Sequence, residues 1–177
     1  MRRQSAGYSL FELIVTITIA AIVVSLGLPS LTGTVARHRQ RAELDALFHA
    51  IHLARKESIV RRKVVSICPS RDLESCEPGR DWSSGWILFA NHDGDTPPRI
   101  DEGEPILGRH RVDETVNITA NRHGFTLRAV FKRATNGTLV VCDREARIEP
   151  RALVVSYTGR PRVARTTPRG EPYVCAE

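Results

Sequence analysis

No charged residue interrupts the chain from Leu13 to Leu28, a run rich in Ile, Val, Ala and Leu, and it follows a short basic leader, Met-Arg-Arg-Gln-Ser-Ala-Gly. As a helix, the segment from Tyr8 to Leu28 reaches about 31 Å at about 1.5 Å per residue, enough to cross a hydrocarbon core of about 30 Å. Arg2 and Arg3 would hold the start on the cytoplasmic side and leave the bulk of the chain outside. A cleaved secretory signal would carry its small-residue junction after the apolar run. Here the junction Gly7-Tyr8 precedes the run, and Pro29 follows it. The sequence therefore predicts a leader over 1–7, a transmembrane helix over 8–28, its continuation over 29–62 and a folded domain over 63–177.

Beyond Pro29, apolar residues Leu44, Leu47, Phe48, Ile51, Ala54 and Ile59 recur at helical spacing, with Arg37, Arg39, Arg41, Glu43, Arg55 and Lys56 mostly on the other faces. That stripe needs a covering sheet. Strand-like stretches are Lys63–Cys68, Gly85–Ala90, Gly124–Arg133, Thr138–Cys142 and Ala152–Tyr157, separated by turn-rich segments; Arg165–Glu177 reads as an irregular tail. The predicted fold is α+β, a long N-terminal helix packed on a two-sheet antiparallel β domain. Four cysteines, Cys68, Cys76, Cys142 and Cys175, lack the paired two-residue gaps of a zinc site and point to disulfides in an oxidising compartment, with three pairings open.

Glu12 is out of place near the entrance of the apolar helix, where a carboxylate costs about 2 to 3 kcal/mol at the membrane centre and less toward the interface. A partner is implied. The stretch Gly7-Tyr8-Ser9-Leu10-Phe11-Glu12-Leu13-Ile14-Val15 resembles the class III signal of type IV prepilins and pseudopilins. The resemblance implies that a prepilin peptidase cuts between Gly7 and Tyr8 and methylates the new N-terminus. It also implies that Glu12 pairs with the N-terminal amine of a neighbouring subunit, and that Pro29 bends the helix. Tyr8 stands where phenylalanine is usual and keeps the ring.

The remainder is similar to the FimT and GspH family of minor pilins and pseudopilins. Cys68-Pro69-Ser70-Arg71 leading to Cys76, and Asp81-Trp82-Ser83-Ser84-Gly85-Trp86-Ile87-Leu88-Phe89, carry that likeness. Proximity and the resemblance together imply disulfides Cys68 with Cys76 and Cys142 with Cys175. Ser156-Tyr157-Thr158-Gly159-Arg160-Pro161-Arg162 resembles the Gly-Arg-x-Arg motif with which FimT-type minor pilins bind double-stranded DNA during natural transformation. The expected localisation is the inner membrane, single-pass with a periplasmic domain, before assembly with other pilin subunits into a pilus or pseudopilus.

Charge supports the DNA reading independently. There are 26 Lys plus Arg against 20 Asp plus Glu, and only Lys56, Lys63 and Lys132 are lysines. Arginine grips phosphate with a planar fork, although codon bias alone can enrich it. Clustering argues for function: between Glu149 and Glu171 no acidic residue occurs, while Arg151, Arg160, Arg162, Arg165 and Arg169 do. If the segment is extended, Arg160 and Arg162 project to one face about 7 Å apart, close to the spacing of successive phosphates on one strand. Gly159 adds a turn. Arg160 and Arg162 are the expected central contacts, Arg165 and Arg169 a flanking extension, and Lys132 and Arg133 outliers.

Other constellations are weaker. Asn91, Asp93 and Asp95 around Gly94 resemble the start of a calcium loop without its closing glutamate, with Asp101, Glu102 and Glu104 as further carboxylates; a polar turn is the simpler reading. His49 and His52 read as surface residues, and Trp82 and Trp86 as packing residues. No catalytic trio or phosphate loop stands out, so neither an enzyme nor a cofactor is expected. The alternative to DNA capture is a structural subunit that primes a pilus or a type II secretion pseudopilus, its arginines facing other subunits.

Overall fold

The computed structural model describes residues 9–128 and 133–175. The chain forms two compact units, Met1–Val35 and Ala36–Glu177. One α-helix among the described residues, α1 (Leu10–Arg61), belongs to both.

In the first unit Ser9 caps α1. Its Oγ accepts the Glu12 N–H at 3.2 Å, and the Glu12 carboxylate accepts the Ser9 N–H at 2.9 Å. This is the reciprocal capping box of a Ser-x-x-Glu sequence, so Glu12 has a role within its own chain besides the intersubunit one expected of it. Thr16, Thr18 and Ser25 donate their hydroxyls to carbonyls three or four residues back, which satisfies them in apolar surroundings. Gly7, Tyr8 and the side chain of Pro29 lie outside the described residues. Among the described residues no helix is long and apolar enough to cross a membrane. The expected span 8–28 lies partly outside the described residues.

In the second unit α1 turns Leu44, Leu47, Ile51 and Ala54 inward, all essentially buried, whereas Ile59 is exposed. Two four-stranded antiparallel sheets meet that stripe. One runs in the order β3 (Ile106–Arg111), β2 (Gly85–Asn91), β1 (Val64–Pro69), β5 (Phe125–Leu127), and the other β4 (Val116–Ala120), β6 (Gly137–Asp143), β7 (Arg151–Val155), β8 (Pro161–Ala164). The helix stripe shares one core with Val65, Ile67, Leu88, Ile118, Leu139, Val141 and Leu153. Trp82 and Trp86 are buried in that core, Trp82 edge-on to Phe125 at 5.8 Å.

The other face of β2 makes a second cluster, in which Ile87 and Phe89 lie with Cys68 under Leu73, Cys76, Ile100 and Ile106. The Cys68–Cys76 disulfide closes the loop that supplies part of this cover. Burial on both faces is why β2 reads as a continuous apolar run. The second disulfide, Cys142–Cys175, ties the tail to β6. Both pairs are those that the resemblance implied.

The structure departs from the sequence reading at several elements. Of the stretch Gly124–Arg133, the described residues form a strand at Phe125–Leu127, residues 129–132 lying outside the described residues, and Ala152–Tyr157 ends at Val155 because Ser156–Arg160 form a turn. Strands β3, β4 and β8 are additional. β3 is an edge strand whose Arg109, His110 and Arg111 hide its period, and charge belongs on an edge. β8 opens on Pro161, which an edge strand tolerates at its first position. The tail is less irregular than expected, since Thr166 bridges Pro172 around a turn at Thr167–Gly170.

Glu43, expected on a solvent face, is buried. Its carboxylate bonds His110 Nε2 at 2.7 Å and accepts the Asp113 N–H at 3.1 Å, clamping α1 to the end of β3. Glu43→Ala strips both partners from the clamp. It is expected to destabilise the fold by about 1 to 3 kcal/mol, read as a lower urea midpoint.

Candidate nucleic-acid interface

The turn between β7 and β8 is built by its own hydrogen bonds. The Gly159 N–H donates to Ser156 O at 2.9 Å, the Ser156 N–H to Arg160 O at 3.1 Å, and the Arg160 N–H to Ser156 Oγ at 3.2 Å. Gly159 has φ +69°, a left-handed conformation that glycine adopts freely. A Cβ there would stand 2.7 Å from Leu127 Cδ1 and 3.4 Å from Ala134 Cβ. The glycine is therefore required twice, by backbone and by space, and it seats the turn against β5.

From that seat the chain alternates. Gly159 and Pro161 are buried, and Arg160 and Arg162 are exposed. β8 pairs with β7 through Pro161↔Val155 and Arg162↔Val154, so the extended geometry on which the spacing of about 7 Å depends is present at Arg162. Among the described residues neither arginine side chain makes a hydrogen bond or ion pair. Arg160 at the end of the turn and Arg162 on β8 each offer an exposed guanidinium fork, a shape that suits phosphate oxygens.

Three further groups meet the turn. The Arg133 guanidinium lies 5.6 Å from the centroid of the exposed Tyr157 ring, a cation–π contact. The Tyr157 carbonyl accepts the Ala134 N–H at 3.0 Å, which holds Arg133 beside the turn. Arg128 Nη1 donates to Arg133 O at 3.4 Å, and Arg55 of α1 approaches Gly159 from the helix side. Arg133 thus joins the turn rather than standing apart, while Lys132 lies outside the described residues. Sequence reasoning missed Arg55, Arg128 and Tyr157. Tyr157 is two residues before the glycine and was legible; Arg55 and Arg128 arrive only through tertiary packing.

The remaining basic residues lie elsewhere. Arg169 is exposed on the turn at Thr167–Gly170, and among the described residues it shares no hydrogen bond or ion pair with Arg160 or Arg162. Arg165 lines a separate cavity of about 310 Å³ with Arg37 and Gln40 of α1, Arg147, Glu149 and Arg151. In that cavity Arg147 is committed: its Nε and Nη2 hold Asp143 at 2.9 and 2.7 Å and keep the Asp143 carboxyl below its ordinary range.

The acidic loop organises itself. Carboxylates of Asp93, Asp101 and Glu104 come within 4.8 Å of one another. Glu104 is already used by the His92 and Asp101 N–H groups, and Asn91 donates to Asp95 and Ser66. His49 and His52 are exposed and flank the Phe48 ring.

The same architecture recurs among solved structures. The type IV minor pilin FimU of Pseudomonas aeruginosa matches with a TM-score of 0.51 at 19% identity over 70% of this chain and 91% of that one. The minor pseudopilin EpsH from the type 2 secretion system of Vibrio cholerae matches with 0.52 at 9% identity over 71% and 96%. The solution structure of E. coli GspH matches with 0.50 at 17% identity over 80% and 97%. No curated protein sequence matches. At these identities the likeness shows the fold. The prokaryotic N-terminal methylation motif matches residues 2–28. Since the type II transport protein GspH family matches residues 43–159, which hold the helix stripe, strands β1 to β7 and the turn up to Gly159, this chain belongs to the GspH family and is a minor type IV pilin or pseudopilin.

Proposed function

We propose that this chain is a minor pilin that captures double-stranded DNA, without sequence preference, through Arg160 and Arg162, and so supports DNA uptake in natural transformation. The observation that carries the reading is the alternation of buried Gly159 and Pro161 with exposed, unpaired Arg160 and Arg162. Arg133 and Tyr157 extend the surface, and a base or sugar face can rest on the ring. Contacts to phosphate carry no sequence information, which suits uptake of arbitrary DNA. A single domain neutralising two to four phosphates should bind with a Kd of roughly 10⁻⁴ to 10⁻⁶ M, and several copies along a fibre would add avidity. Arg160→Gln with Arg162→Gln should abolish the gel shift and transformation while leaving folding and pilus formation intact. Normal DNA binding with failed assembly would favour the second reading, a structural subunit of a pilus or secretion pseudopilus. The match to a type II transport family speaks for that alternative.

In either reading the chain is inserted in the inner membrane through residues 8–28 with its β domain in the periplasm. A prepilin peptidase cuts after Gly7, and Glu12 meets the amine of Tyr8 of a neighbouring subunit on assembly, where it exchanges its own cap for an ion pair. The match to the methylation motif supports this. Mass spectrometry of the mature N-terminus should find a methylated Tyr8, and a start at any other residue would contradict the assignment.

A further inference from the structure

We infer that the ring of Tyr157 is a stacking platform for an unpaired base, so that the turn between β7 and β8 takes DNA with a single-stranded end in preference to fully paired DNA. The inference rests on the DNA-binding reading above and narrows its substrate. Among the described residues of the unit Ala36–Glu177, Tyr157 is the one Phe, Tyr or Trp left exposed, at 58%. Trp82, Trp86, Phe89 and Phe125 are all buried. The Tyr157 hydroxyl has no hydrogen-bond partner among the described residues, so no polar contact of its own holds the ring in water. Its one side-chain contact is the cation–π pair with Arg133, which stabilises little at an exposed site.

The backbone under the ring is fixed on every side. The Ser156 N–H donates to Arg160 O at 3.1 Å, and Ser156 Oγ accepts the Arg160 N–H at 3.2 Å, so Tyr157 stands in a loop whose two ends are bonded together. The hydroxyls of Ser156 and Thr158, on either side of it, are 2.9 Å apart. The Tyr157 carbonyl accepts the Ala134 N–H at 3.0 Å. The ring itself is steadied by the Arg133 guanidinium, 5.6 Å from its centroid. A ring held in this way loses less rotamer freedom when a ligand settles on it. Because Ser156 precedes Tyr157 and is bonded to Arg160, the base platform and the first phosphate contact arise from adjacent points of one turn.

The chemistry of stacking selects the unpaired base. Within a duplex both faces of each base are covered by its neighbours, and taking one out costs its pairing and stacking. A base in a single-stranded end has a face to offer. Every base has a π-face, so stacking is tolerant of sequence and agrees with the indifference of the phosphate contacts. Positive charge surrounds the ring: Arg133 lies against it, Arg160 closes the same turn, and Arg55 Cδ comes within 3.8 Å of where a Gly159 Cβ would stand. None of the three forms an ion pair among the described residues. An aromatic face among unpaired cations is the make-up of a single-strand site. The bonds that close the turn are made by backbone and hydroxyl groups alone, so the fold of the turn does not require the ring.

The test titrates the full-length chain in neutral detergent with two labelled DNAs of equal nucleotide content, a blunt duplex ending in G·C pairs and a duplex with single-stranded overhangs, and follows fluorescence anisotropy. We expect the overhang DNA to bind about fivefold tighter than the blunt one. Tyr157→Ala should remove that preference and leave blunt-duplex affinity at the wild-type level, while Tyr157→Phe keeps both. With 5-iodouracil in the overhang, irradiation should cross-link the DNA to Tyr157, as peptide mass spectrometry will show. Equal wild-type affinity for the two DNAs overturns the platform alone. So does a Tyr157→Ala variant that keeps the preference, one that weakens on both DNAs alike, or a cross-link that maps to another residue. A wild-type chain that binds neither DNA overturns the DNA reading along with it.

Discussion

Gly159→Val is expected to abolish DNA binding with every arginine still in place. The residue has φ +69°, a conformation that is a genuine outlier for a β-branched side chain and costs on the order of 1 to 3 kcal/mol. A Cβ alone would approach Leu127 Cδ1 to 2.7 Å, and the valine methyls reach further, into a core that resists overpacking at about 1 to 3 kcal/mol. Relief comes most readily by lifting the turn away from β5. That breaks the bonds among Ser156, Gly159 and Arg160 and displaces the two arginines. The urea midpoint should therefore fall together with the gel shift. A variant that keeps wild-type affinity would show that the glycine is not what positions the arginines.

Removing the Cys142–Cys175 bond has the second large effect. The cysteines are 33 residues apart, against 8 for Cys68 and Cys76. On the chain-entropy account the longer loop is worth about 4 kcal/mol and the shorter about 2 to 3. Cys142→Ser with Cys175→Ser should thus destabilise the domain more than Cys68→Ser with Cys76→Ser, as urea midpoints will show. Freed from β6, the tail carries Arg169 through a wider range of positions, and any help it gives to DNA binding comes at a greater entropic cost. The reverse order of stabilities would show that the cover over Ile87 and Phe89 outweighs loop length.

The legible parts of the fold were those with local periodicity. Leu44, Leu47, Ile51 and Ala54 announce the helix face, and Trp86–Ala90 announces a strand buried on both sides. β3 stayed hidden because its charges suit an edge, and β8 because Pro161 opens it. Glu43 could not be read as buried, since its partners His110 and Asp113 are separated from it by 67 and 70 residues. The exposed pair Arg160 and Arg162 follows from period two alone. The same parity places Arg165 on the other face, yet charge continuity suggested one stripe, and only the cavity with Arg37 and Arg151 separates the two. Ser9-x-x-Glu12 was likewise present as a capping box but overshadowed by the intersubunit role of the carboxylate.

The central claim is that Arg160 and Arg162 each neutralise a phosphate, and salt titration of DNA binding tests it most directly. The compact unit 36–177 would be titrated with a duplex of arbitrary sequence across a range of salt concentrations, wild type beside Arg160→Gln with Arg162→Gln. Each phosphate contact contributes about −0.9 to the slope of log K against log salt. The double variant should therefore show a slope flatter by about 1.8, with binding weakened equally on unrelated sequences. An unchanged slope and affinity in the double variant would contradict the account.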